Sequence, residues 1–256
     1  MASKNFLDNK LFLYSQRIFS LNSSYNYVYF EFLSRFYDNK NKKFISSEKI
    51  FNNLPDEDLL LLDIEIFKNA FNSLSNYSKF FKKNYVAFLN VSRGSIIYYN
   101  DFLKKLNKLQ RIYSIPSKNM LLEVTENCNK NVSFFLERCL NEGYQVALDD
   151  IGKGFFNINN LKKYVFNVIF EFPYKDFFIK IDKSYTKDFF KYTDFFNLAK
   201  NVKLSYSSIN LVAEGIENKL VLDSLKYYNI DFGQGFYLEK PQEFNFNYIN
   251  KHFIKS

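Results

Sequence analysis

Met120-Leu121-Leu122-Glu123-Val124-Thr125-Glu126 and, further on, Tyr144-Gln145-Val146-Ala147-Leu148-Asp149-Asp150, followed by Ile151-Gly152-Lys153-Gly154, are the runs whose reading decides the fold. Each is apolar and ends in carboxylates, and Val132 to Glu142 between them reads as a helix. Strand, helix and strand, with acids at both strand ends, make one repeat of a parallel α/β protein. Carboxylates gathered at one sheet edge repel each other unless positive charge lies among them, and a divalent metal is the usual answer.

The remainder of the chain alternates in the same way. Leu11 to Leu21 and Tyr27 to Leu33 read as strands, and Asn39 to Pro55 as a polar, turn-like stretch. Asp56 opens a long amphipathic helix to about Tyr77, with Leu59, Leu60, Leu62, Ile66, Phe67 and Phe71 on its apolar side. Tyr85 to Val91 is a strand and Asn100 to Arg111 a helix. After Gly154 a helix is expected over Asn157 to Val165, then an aromatic linker from Phe166 to Phe178 around Pro173. Strand Phe177 to Ile181, helix Phe189 to Leu204, strand Asn210 to Ala213, helix Lys219 to Tyr228 and a last strand Asp231 to Tyr237 complete the order. Alternation with short connections suits one closed (β/α)8 barrel better than an open sheet with a second domain.

Bulk composition agrees. The chain has 256 residues, 47% of them hydrophobic, enough for one barrel and its core. Its formal charge of +8 comes from dispersed lysines, read as a solvated surface; a nucleic-acid polymer is not the expected partner. Cys128 and Cys139 have no paired histidine near them, and the sole histidine is His252, so zinc, a disulfide framework and His-based nucleophilic catalysis are unsupported. No run approaches ~18 apolar residues and no signal-peptide core is visible, so a cytoplasmic chain without membrane attachment is expected.

The chemistry is positional. Glu31, Asn90, Glu123, Asp149, Lys180, Glu214 and Gln234 each fall at or near the C-terminal end of a different expected strand. Those ends share one rim in a barrel, where sites are built. Any one of them alone is most simply a strand-end residue meeting solvent; seven in register are not. Of seven glycines, Gly152, Gly154, Gly215, Gly233 and Gly235 lie close to those acids, where backbone must turn tightly or be closely approached. The donors are all oxygen, which suits Mg²⁺, Mn²⁺ or Ca²⁺ and disfavours zinc. Asp149 and Asp150 together could bridge two ions ~3.5–4 Å apart. Lys180 can hold an attacking water or offset phosphate charge, Glu214 can ligate metal or take a proton, and Thr125 and Glu126 would steady the loop after Asp150.

These residues resemble a known family. YFEFLSR at Tyr29–Arg35 is similar to an E-x-L-x-R signature with Phe32 in place of alanine, and FLNVS at Phe88–Ser92 to its N-x-S strand. LLEVTE at Leu121–Glu126, LDDIGKG at Leu148–Gly154, IKID at Ile179–Asp182, AEGIE at Ala213–Glu217 and QGFYLEKP at Gln234–Pro241 follow in order. Gln16 resembles the glutamine of an opening Q-P-I, with Arg17 where proline is usual. The chain thus resembles the EAL-domain cyclic di-GMP phosphodiesterases from about Leu11 to Pro241. The resemblance implies a TIM-like barrel of the EAL type with one antiparallel strand, in a single domain across 1–256 without a separate sensory domain. It also implies Mg²⁺- or Mn²⁺-dependent opening of cyclic di-GMP to linear pGpG, in a homodimer. Glu31, Asn90, Glu123 and Asp149 would hold one metal, and Asp149, Asp150 and Glu214 the second. Lys180 would position water and Glu214 act as base. Gln16, Leu33, Arg35, Asp182 and Gln234 would serve the substrate, with Asp182 and Gln234 also supporting the metals or their waters, as would Glu217. The loop from Ile151 to Asn157 departs from the family pattern, and the linker before Lys180 is longer.

Three readings compete: an active phosphodiesterase, a receptor that binds cyclic di-GMP without cleaving it, and a protein- or nucleic-acid-binding regulator on the same scaffold. Retention of every acid and of Lys180 favours the first.

Overall fold

Among the described residues ten strands share one hydrogen-bonded sheet, and a second pairing of its first strand closes eight of them into a barrel. A computed structural model of the chain describes residues 9–22, 27–81, 84–125, 131–151 and 166–254. The strands are β1 (Asn9–Ser20), β2 (Tyr27–Asp38), β3 (Lys43–Ile45), β4 (Asn84–Val91), β5 (Met120–Val124), β6 (Gln145–Ile151), β7 (Phe177–Ile181), β8 (Ile209–Ala213), β9 (Phe232–Gly233) and β10 (Gln242–Glu243). The ring runs β1-β2-β4-β5-β6-β7-β8-β9 and returns to β1. All its pairings are parallel except the two made by β1, which is antiparallel to both neighbours. This is the expected barrel with one antiparallel strand. Short β3 and β10 add antiparallel edges to β2 and β1.

Helices α1 (Ser47–Asn53), α2 (Asp56–Tyr77), α3 (Arg93–Ile97), α4 (Tyr99–Tyr113), α5 (Val132–Asn141), α6 (Phe166–Glu171), α7 (Lys183–Lys187), α8 (Thr193–Ser205), α9 (Lys219–Tyr227) and α10 (Phe246–Ile249) follow in chain order. None of the described helices is long and apolar enough to cross a membrane.

Two apolar layers hold this together. One lies between the strands' outer faces and the helices. The other fills the barrel: Ile18, Val86, Phe88, Leu121, Ala147, Phe178, Val212 and Phe232, with Tyr29 against them. Helix α2 shows how sequence makes the outer layer. Its acids Asp56, Glu57 and Asp58 occupy the first turn, where they favour the helix dipole, and Leu59, Leu62, Ile66, Phe67, Ala70, Phe71 and Leu74 are buried along one face. Each large side chain so buried contributes roughly 1.5–3 kcal/mol.

Several boundaries differ from expectation. The polar stretch 39–55 holds β3 and α1; α1 buries none of its residues, so it carried no amphipathic period to read. Strand β2 runs on to Asp38 because β1 and β3 continue to pair with it beyond its contacts with β4. The linker expected over 166–178 contains α6, and Phe177 and Phe178 belong to β7. Phe166 and Phe170 both rest on Tyr206, so the aromatic stretch packs on its own barrel. Strand β9 is only two residues, leaving Gln234 just beyond it. The expected helix 157–165, Cys128, Glu126 and the loop 152–157 lie outside the described residues.

One acid sits inside α2's apolar face. Asp63 is 1% exposed and accepts hydrogen bonds from Ser92 N–H (2.8 Å), Ser92 Oγ (2.7 Å) and Ser95 Oγ (2.7 Å), fixing the turn that follows β4. Burial outweighs these bonds and raises its pKa from 3.8 to about 6. The folded state holds that proton more tightly than the unfolded chain does. Asp63 therefore weakens the fold progressively as pH rises from about 4 to about 6, by roughly 3 kcal/mol in all. Urea unfolding of Asp63→Asn beside wild type should show the variant gaining about that much relative stability between pH 4 and pH 7. A pH-independent difference would contradict this origin of the shift.

Candidate functional site

Alternation along each strand places the polar residues one layer above the barrel's apolar plug. Glu31, Asn90, Glu123, Asp149, Lys180, Glu214 and Gln234 each follow an interior residue by two positions: Tyr29, Phe88, Leu121, Ala147, Phe178, Val212 and Phe232. Gln16 precedes its interior neighbour Ile18 by two, because β1 runs the other way, and it stands opposite Glu31 in the β1–β2 register. The eight side chains thus form one layer at the C-terminal mouth of the parallel strands, where barrel sites are built.

Lys180 is the hub. Its side chain is 1% exposed, and Nζ lies 2.7 Å from Glu214 Oε1, 3.3 Å from Glu31 Oε2 and 3.4 Å from Asp149 Oδ1, and also contacts Glu123 Oε1. Four carboxylates thus surround one ammonium. Burial opposes the lysine's charge, but Asp149, Glu123, Glu214 and Glu31 together hold its pKa well above normal. The acids divide unequally. Burial would raise Glu31, yet Lys180 and hydrogen bonds from Gln234 and Asn90 keep its pKa low. Glu123, wholly buried beside Glu31 and Asp149, is pushed well up, and burial raises Glu214 to about 7. One lysine does not balance this many acids.

Asp149 and Asp150 are consecutive, so a regular strand would send them to opposite faces. The β6–β7 register shifts between Leu148 and Ile151, and Asp150 takes φ +54°. Such a bulge re-aims a side chain, and left-handed backbone at a non-glycine costs about 1–3 kcal/mol. Its result is that carboxylate oxygens of Asp149, Asp150 and Glu214 lie within 4.8 Å of one another. Burial, then repulsion from Asp149, raises Asp150 to about 8.

Around this cluster the supporting contacts are specific. Asn90 Nδ2 donates to Glu31 Oε1 at 2.9 Å, which leaves its amide oxygen as the atom able to ligate. Gln234 Nε2 lies 2.9 Å from both Glu31 Oε2 and Gln16 Oε1. Asp182 is buried, caps α7 by accepting from Ser184 N–H at 2.8 Å, and shares a hydrogen bond with Asp150. Leu33 and Arg35 continue the inward face of β2 and line a cavity of about 290 Å³ with Thr125, Arg93, Phe51 and Asn52. A second cavity, about 260 Å³, lies across β1 and is lined by Gln16, Glu214, Gln234, Lys183, Lys187 and Phe236. Glu217 is exposed at that cavity and pairs with Lys187 at 3.6 Å, away from Lys180. Gly215 and Gly235 serve the protein's own backbone: a Cβ on Gly235 would stand 2.2 Å from Ile216 N, and Gly215 has φ +66°. The α1 wall of the larger cavity was not expected, and Arg93 holds it through Asp56 (2.8 Å) and the carbonyl of Leu54 (2.8 Å).

The donor set fits a divalent cation. It is all oxygen; Glu123 Oε2 is buried without a hydrogen-bond donor, and buried Asp149 Oδ1 has only the Lys180 ammonium, at 3.4 Å. Asp149, Asp150 and Glu214 could hold such an ion.

A family model described as "EAL domain" matches residues 1–241. The cyclic di-GMP phosphodiesterase PdeB of Shewanella oneidensis is 27% identical over 246 residues, 92% of this chain and 27% of that protein. The cyclic di-GMP phosphodiesterase PdeA of Borreliella burgdorferi is 27% identical over 227 residues, 83% of this chain and 31% of that one. The chain thus spans less than a third of the length of these curated relatives. The EAL enzyme Bd1971, solved with cAMP and cyclic di-GMP bound, shares the fold with a TM-score of 0.79 at 22% identity, over 98% of this chain and 66% of that one.

Removing the central cation should expose the charge imbalance. Lys180→Met should cost roughly 3–5 kcal/mol in urea unfolding with a chelator present, because it strands buried carboxylates. Mn²⁺ should recover a larger share in the variant than it adds to wild type. A cost below about 1 kcal/mol would show that Lys180 does not balance the acids.

Proposed function

The chain belongs to the EAL-domain family, and on that footing we propose that it is a Mg²⁺- or Mn²⁺-dependent phosphodiesterase that opens cyclic di-GMP to linear pGpG. One observation carries the reading: a buried lysine ringed by four carboxylates, one of which, Glu123, keeps a buried oxygen without a hydrogen-bond donor. Such a set is costly for a merely structural site and natural for one that takes up cations.

In this proposal Glu31, Asn90, Glu123 and Asp149 hold one metal, and Asp149, Asp150 and Glu214 the other. Two bound ions would supply a water activated as nucleophile near neutral pH and neutralise charge building on the phosphate. Lys180 keeps the acids in place and orients the water that Glu214 deprotonates. The substrate class is supported by the cavities on either side of β1, one rimmed by Arg35 and Arg93 and one by Lys183 and Lys187. A cyclic dinucleotide has two phosphates and two bases to place, and each cavity offers cationic groups beside an aromatic ring. Leu33 and Arg35 would meet the sugar-phosphate ring from one side, Gln16, Gln234 and Asp182 from the other. Thr125 lines the Arg35 cavity, and Glu217 pairs with Lys187 beside the second. The names of PdeB and PdeA support cyclic di-GMP as that dinucleotide. The proposal extends to a homodimer.

Purified protein with Mn²⁺ or Mg²⁺ should convert cyclic di-GMP to pGpG, followed by chromatography of the nucleotides, and Glu31→Ala should bring turnover below detection. Binding without cleavage in either metal would replace this reading by that of a receptor. Neither binding nor cleavage would leave the scaffold reading.

A further inference from the structure

Arg17, which stands where the resemblance puts proline, makes contacts that proline could not make. A proline has no N–H to give. Arg17 N–H donates to Glu239 Oε1 at 3.2 Å, and its Nε lies 2.9 Å from Glu239 Oε2. The pair is shielded: Glu239's side chain is 5% exposed and Arg17's 27%. The segment beyond Pro241 closes over it. Strand β10 pairs with β1 at Tyr14 and Ser15, and His252 places Nε2 3.3 Å from the same Glu239 Oε2. Burial and the nearby Arg17 lower the His252 pKa to about 4, so its ring is neutral at pH 7 and Arg17 carries the pairing charge.

What this pair holds is the backbone of Glu239, and that backbone points into the site. Gln16 Nε2 donates to Glu239 O at 2.6 Å. Gln16 Oε1 accepts from Gln234 Nε2 at 2.9 Å, and Gln234 Nε2 also donates to Glu31 Oε2 at 2.9 Å. Gln16 and Gln234 are 5% and 6% exposed, so neither has water as an easy substitute partner. We infer that Arg17 and Glu239 are positioning residues: their ion pair fixes the Glu239 carbonyl, which through Gln16 and Gln234 orients the Glu31 carboxylate for metal. Gln234 is one step removed from Glu31, and partners so placed typically change metal affinity or activity 10–100-fold when lost; Arg17 and Glu239, further along the same relay, act at the lower end of that range. The inference rests on the metal-site reading of Glu31 and adds residues that no part of that reading uses.

A double-mutant cycle tests it. Mn²⁺ affinity is measured by calorimetry without substrate, and the Mn²⁺ dependence of cyclic di-GMP turnover alongside, for wild type, Arg17→Ala, Glu239→Ala, Gln16→Ala and Arg17→Ala with Gln16→Ala. Arg17→Ala should weaken Mn²⁺ about tenfold, and Arg17→Lys should recover most of that. In the Gln16→Ala background Arg17→Ala should change Mn²⁺ affinity less than about twofold, because the link is already cut. Independent, multiplying effects would overturn the inference, as would a loss confined to the urea midpoint with metal affinity unchanged. A wild type that hydrolyses cyclic di-GMP but shows multiplying effects sinks this inference alone. A wild type that shows the coupled Mn²⁺ effects without hydrolysis supports it and sinks the phosphodiesterase reading instead.

Discussion

The ammonium of Lys180, buried among the carboxylates of Glu31, Glu123, Asp149 and Glu214, is the contact on which the remainder of the structure depends. Glu31, Glu123 and Asp149 come from β2, β5 and β6 and Glu214 from just past β8, so their approach is a property of the closed barrel and of no local segment. Bringing like charges together out of water is unfavourable. One lysine offsets part of the cost, hydrogen bonds from Asn90 and Gln234 offset more at Glu31, and what remains pushes the Glu123 pKa well up. Divalent cations would complete the balance.

The fold meets this demand with two rules. Alternation along each strand stacks the polar layer over an apolar one, so the interior residues Phe88, Phe178 and Phe232 form the floor of the site. The second rule is an exception to the first. At Asp149-Asp150 the ladder slips, and Asp150 accepts a strained backbone so that both acids meet Glu214. Strain of this kind persists where surrounding packing over-determines it, and here Leu148 and Ile151 on either side are buried.

Much of this was legible in the residues. The acids announced themselves because each interrupts an apolar run, and Lys180 because it sits inside FFIKI, a run that otherwise has no use for charge. The long helix from Asp56 was readable because its apolar positions repeat with helical period. Other features left little local trace. Gln16 lies in the middle of its strand and reaches the rim only because β1 is antiparallel, so the resemblance found it and strand ends did not. Helix α1, which walls one cavity, buries no residue and so has no period. Glu239 looks like a surface acid before Lys240-Pro241; its partner Arg17 is more than two hundred residues away, and only the closed barrel brings them together. The β6 bulge is likewise a tertiary fact.

Crystals grown with Mn²⁺ and measured for its anomalous scattering would test the central claim most directly. The account predicts two peaks ~3.5–4 Å apart at the barrel mouth, one of them beside Glu31 and Glu123 and the other beside Asp150 and Glu214. Anomalous density confined to the protein surface, with Lys180 still filling the space between the four carboxylates, would contradict it.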